Sequence, residues 1–176
     1  AGGCSKIETS HPVIVDKTIP VITNIEHGEY TRYKNKISGI QITTRDSESG
    51  ITMLQAAIVP DTTQDSINNA HWNNIELTID PGDTITIEDS VFYYNPNDHT
   101  ETMIHGNAYY LAVMTQNRSG LWSLPNHTGE ITVDTSYPQL IYNTGQDEVV
   151  YNETDDFHIS YTIVEDVSTS VDVEFV

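Results

Sequence analysis

Residues 108–117 read "AYYLAVMTQN", placing Tyr109, Leu111 and Val113 on one side of an extended chain and Tyr110, Ala112 and Met114 on the other. A period of two is that of a β-strand, and Tyr and Val are favoured on its pleated surface. Working outward, the same period recurs. "ISGIQITTRD" (37–46) groups Ile40, Ile42 and Thr44, and "ITMLQAAIV" (51–59) follows the turn "SESG" (47–50). "IELTID" (75–80) groups Ile75, Leu77 and Ile79. After "PGD" (81–83), "TITIE" (84–88) offers Ile85 and Ile87, "SVFYYN" (90–95) reads as another strand, and "EITVD" (130–134) closes the set. No stretch sustains a period of 3.6. The pattern predicts an all-β sandwich.

Part of the chain is written twice. "SHPVIVDKTIPVI" (10–22) and "GEITVDTSYPQLI" (129–141) both run from an alternating strand through an Asp turn to a proline. Val13 and Val15 align with Ile131 and Val133, and Asp16 with Asp134, 118 residues on. Proline, which lacks an N–H for a sheet ladder, marks strand starts and junctions. Pro20 and Pro138 therefore divide the chain into residues 1–16, the last strand of a preceding module; 17–134, a complete module; and 135–176, the opening strands of a following one. "FHISYTIVED" (157–166) supports the last boundary. It sets Phe157, Ile159, Tyr161 and Ile163 on one face, and a shift of 120 brings Asp166 onto Asp46 and Val171 onto Ile51. Three strands cannot close a sandwich. The third piece is either an excerpt of a longer array, the reading the spacing favours, or is completed by another chain.

Charge narrows the function. The 176 residues carry 26 Asp plus Glu against 7 Lys plus Arg, a net charge of −19. Such a surface repels phosphate backbones and anionic lipid heads, which argues against nucleic-acid and membrane-surface partners. No apolar run reaches the roughly 20 residues that span a bilayer. The single cysteine, Cys4, has no internal partner for a disulfide. "AGGCS" at the start is similar to a bacterial lipoprotein cleavage site, but no apolar segment precedes it. Three sequons, Asn117-Arg-Ser, Asn126-His-Thr and Asn152-Glu-Thr, lie in or beside expected turns. With the acidity, they point to the outside of a cell.

The stretch "IHGNAYYLAVMTQNRSGLWSLP" (104–125), followed by "GEITVDTSYP" (129–138), resembles the end of fibronectin type III and related immunoglobulin-like modules strung in tandem on prokaryotic surface proteins. The shared pattern is Tyr-x-Leu-x-Val, then Asn-x-Ser-Gly-x-Trp-Ser in a hairpin, then Val-Asp-Thr-x-x-Pro into the next module. The resemblance covers residues 1–59 and 103–176. It implies a seven-stranded Greek-key sandwich without enzymatic activity in most members, and a corner tyrosine at Tyr109 or Tyr110. Residues 60–102 exceed the family's usual length, leaving their strand order open.

Seven histidines, at 11, 27, 71, 99, 105, 127 and 158, show no His-x-x-x-His spacing, and no nucleophile elbow or phosphate loop is present. No enzyme is expected. Carboxylates recur at equivalent places: Asp16 and Asp134 at the junctions, and Asp46 with Glu48, and Glu165 with Asp166, in the turns between second and third strands. In head-to-tail sandwiches these sets converge and are candidates for a Ca²⁺ site, which needs six to eight oxygens. The alternative is that each Asp caps its own turn through hydrogen bonds to the backbone. Trp72 is a candidate sugar platform, as is the pair Tyr93 and Tyr94, whereas Trp122 is expected to pack against the sandwich. Together these readings describe a structural repeat of an extracellular protein, an S-layer or similar surface assembly. Its partners are neighbouring modules and copies of itself in a lattice or filament. The competing reading is a binding module, an adhesin stalk or a carbohydrate-binding accessory domain of a secreted enzyme.

Overall fold

The computed structural model describes residues 15–142, 161–164 and 167, and within them the protein is an all-β sandwich. One sheet has the order β1–β3–β6, made from Val21–Glu26, Lys36–Arg45 and Thr84–Tyr93. The other has the order β2–β9–β7–β4–β5, made from Tyr30–Thr31, Ile131–Val133, Ala108–Asn117, Ile51–Val59 and Asn73–Glu76. A short β8, Asn126–His127, also pairs with β7. All partners are antiparallel except β2 and β9, which run the same way. Residues 60–102 thus place β5 beside β4 and send β6 across to β3.

"TITIE" and "SVFY" form one strand with a kink rather than two. Ile37 pairs with Phe92, Ile40 with Ser90, and Ile42 with Ile87, so an extra residue is inserted first in β3 and then in β6. Gly39 (φ 71°) and Asp89 (φ 49°) occupy the left-handed region at these two bulges. The first bulge restores phase, turning both Ile37 and Ile40 inward although they are three residues apart.

The core is what the alternation predicts. Ile40, Ile42, Leu54, Phe92, Leu111 and Val113 are fully buried between the sheets, each side chain contributing about 1.5–3 kcal/mol relative to exposure. Thr44, also fully buried, donates its hydroxyl to the Val21 carbonyl and so accepts the Thr115 hydroxyl across the sheets (3.2 Å). Asn73 acts as a second bridge, its amide bonding both the N–H and the carbonyl of Tyr93 at 2.9 and 2.8 Å.

The other face of β7 is covered too. Helix α1, Gln64–Asn68, is capped by Thr63 and lays Ile67 against Val59 and Ala112, with Trp72, Ala70 and Tyr110 at the margin. At the start of β7 the Tyr109 hydroxyl accepts the Ile104 N–H at 3.0 Å and the ring meets Tyr94 edge-on, which selects Tyr109 over Tyr110 as the tyrosine bonded to upstream backbone.

Beyond Pro138, β10 (Gln139–Tyr142) and β11 (Tyr161–Val164) pair antiparallel, Gln139 opposite Val164. This is the arrangement of β1 and β3, where Val21 lies opposite Arg45. The offset of β11 from β3 is therefore 119 residues by pairing, one fewer than the turn alignment gives.

Candidate functional site

Three loops and the entering segment meet at one end of the sandwich. The turn after β3 is built on Asp46, whose Oδ1 accepts the N–H groups of Glu48, Ser49 and Gly50 at 3.1, 2.8 and 3.0 Å. Gly50 is required here: its φ is +77°, and a Cβ would lie 2.0 Å from the Ile79 carbonyl oxygen. The Gly82 N–H donates to the Asp46 carbonyl, tying in the "PGD" turn.

Asp16 docks onto this turn from the entering segment. Its Oδ1 accepts the Thr18 N–H and hydroxyl at 2.8 and 2.9 Å, and its Oδ2 accepts the Ser49 hydroxyl and the Asn117 Nδ2, the latter at 2.8 Å. The Asn117 Nδ2 also donates to the Thr18 carbonyl (3.0 Å) and to Asp46 Oδ2 (3.3 Å), while its Oδ1 accepts the Leu121 N–H (2.9 Å). One amide thus joins the entering segment, the Asp46 turn and the 117–121 hairpin. Asp16, Asp46 and Asn117 are 8%, 3% and 1% exposed.

Two carboxylates this close repel each other unless donors surround them. Here each is surrounded. The Ser49 hydroxyl, and after it the Thr18 amide and hydroxyl, hold the Asp16 carboxyl below its usual range against the opposing effect of burial. The same donors bear on the calcium expectation. Asp16 and Asp46 do converge, with exposed Glu48 beside Asp16, but Asn117 presents N–H groups between them. Among the described residues no three His, Cys, Asp or Glu side chains form a set able to hold a metal ion. Asp134 is not brought to this end; its Oδ1 accepts the Ser136 N–H and hydroxyl at 3.2 and 2.9 Å. Glu165 and Asp166 lie outside the described residues. Ser49 and Asn117 complete the network, and neither the "SESG" turn nor the Asn117-Arg-Ser sequon signals that role in the sequence.

The sequons differ sharply. The Asn117 amide nitrogen is buried and bonded to three acceptors, whereas Asn126 is exposed on β8. Asn152 lies outside the described residues. Trp72 is half-buried and packs on the α1 cluster rather than standing free. Trp122 is likewise half-buried, bridged through its backbone to Gln116. Tyr93 stacks on His99 with centroids 4.0 Å apart. His27 accepts the Gly129 N–H and His105 the Thr135 N–H, both at 3.1 Å, so these rings join loops; His11 and His158 lie outside the described residues.

Beside α1 lies a second feature, a cleft of about 280 Å³. Its lining includes Asp65, Ser66, Asn69, Tyr94, and His71 with Glu101, 3.8 Å apart. No protein-family model, curated protein or solved structure matches the chain.

Proposed function

We propose that this chain is a stretch of a tandem array of immunoglobulin-like modules on a cell exterior, an S-layer or comparable assembly, where it holds spacing and presents an acidic face. The observation that carries the reading is the Asp16–Asn117–Asp46 clamp, which fixes the entering segment onto the module it precedes. A similar Asx turn at Asp134, and a β10–β11 pairing like that of β1 with β3, support the reading that a further module begins after Pro138. The strand order β1–β3–β6 facing β5–β4–β7–β9, with the Tyr109 bond, supports the resemblance to fibronectin type III modules. Joints of this kind suit a protein whose partners are its own neighbouring modules and copies.

An antibody raised against the chain tests the reading on intact source cells. Dense, evenly spaced labelling of the envelope by electron microscopy is expected; labelling confined to the cell interior rejects it. A binding module is the second reading, favoured by the polar cleft beside α1. Saturable association of the fragment with an immobilised glycan would move the weight there.

A further inference from the structure

Between the entering segment and the 123–126 loop runs a groove of about 270 Å³ lined by Ile19, Pro20, Val21, Leu124, Pro125 and Asn126. Its rim is apolar and open: Leu124 is 76% exposed, Val21 49% and Ile19 44%. On a chain of net charge −19 this uncharged, apolar rim stands apart from the acidic surface and offers a place for an apolar-faced ligand. The candidate cover has its attachment point in the groove wall. Asn126 begins the sequon Asn126-His127-Thr128, its Oδ1 accepts the His127 N–H at 2.9 Å, and its Nδ2 has no partner among the described residues. It is the reverse of Asn117, whose Nδ2 is spent on Asp16, Thr18 and Asp46.

We infer that Asn126 carries an N-linked oligosaccharide whose first residues lie along the Ile19–Leu124 groove. A pyranose is suited to this place because its ring carbons present an apolar C–H face to aliphatic side chains, while its hydroxyls stay in water. In the attachment step a bond forms between Asn126 Nδ2 and the anomeric carbon of a lipid-phosphate-linked sugar. The bond from that carbon to phosphate oxygen breaks, the lipid phosphate leaves with the electron pair, and the amide gives up one proton. The inference rests on the extracellular reading above, which supplies exposure to such a donor.

The test is secretion of the full chain from a host that installs N-linked sugars, followed by peptide mapping. Asn126 is expected to be occupied and Asn117 bare. Binding of an apolar dye is expected to rise about twofold when the sugar is absent, as in Asn126→Gln, and to fall again when Leu124→Ser is added. A bare Asn126 beside a modified Asn152, or dye binding indifferent to the sugar, overturns the inference. So does a sugar-free chain that forms a dimer lost on Leu124→Ser, which would make a second copy the cover. Absence of sugar at every sequon overturns it too, yet leaves the surface-array reading standing, because antibody labelling of cells does not depend on glycosylation.

Discussion

Asp16 and Asp134 occupy the same place in two copies of one sequence phrase, yet they do different things. Each Oδ1 accepts the N–H and hydroxyl of the residue two positions on, Thr18 or Ser136. Asp61 with Thr63, and Asp98 with Thr100, make the same turn far from any junction. The turn therefore belongs to Asp-x-Thr/Ser as a local habit of the backbone. What distinguishes Asp16 is its second oxygen, taken by Ser49 and Asn117 of the sandwich. The shared phrase accounts for the bend, and the contacts of the second oxygen account for the attachment.

Substitutions can break that comparison, beginning with the most damaging. Asn117→Ala removes the amide shared by Asp16 and Asp46 and leaves buried carboxylate oxygens short of donors, a loss of about 3 kcal/mol in urea unfolding. Asn117→Asp sharpens the point: it adds a third carboxylate where the amide stood, and the variant's melting temperature is expected to rise with added Ca²⁺ while the parent's does not. Gly50→Ala forces a side chain onto the Ile79 carbonyl at a positive φ, costing about 2 kcal/mol by the same measurement.

Asp16→Asn and Asp134→Asn form the direct contrast. The first is expected to lower the melting temperature clearly and to expose residues 15–20 to protease; the second should barely move it. The Asp16 effect also has a pH signature. Because the folded carboxyl sits below its free value of 3.8, its contribution is complete above that value and is lost as pH falls through the folded value. The gap between parent and Asp16→Asn melting temperatures should narrow in acid. The smallest effect belongs to Arg118→Ala. The bridge to Asp80 is 2.9 Å long but exposed on both sides, so a few tenths of a kcal/mol is expected.

The fold was legible because a two-sheet core constrains alternate residues strongly. Period alone grouped Ile40, Ile42 and Thr44 on one face, and Leu111 with Val113 on another, and both groups are buried between the sheets. The bulges at Gly39 and Asp89 were not legible, since a single inserted residue shifts phase without leaving a composition signal. Nor was α1: five residues are too few to establish a helical period, and Ile67 acquires its meaning only from Val59 and Ala112 beneath it. At the site, the convergence of Asp16 and Asp46 followed from the repeat. That Asn117 supplies the donor between them did not, because a sequon reads the same whether its amide faces water or a carboxylate.

The parallel pairing of β2 with β9 carries a mechanical consequence. Tyr30 lies opposite Thr132 and Thr31 opposite Val133, and the Thr132 and Asp134 N–H groups donate to Glu29 and Thr31. Tension that has passed β1 draws two strands of like direction past one another, so these bonds are strained in shear together instead of being unzipped in turn. Thr132→Pro, which deletes one donor, should lower the rupture force in single-molecule stretching.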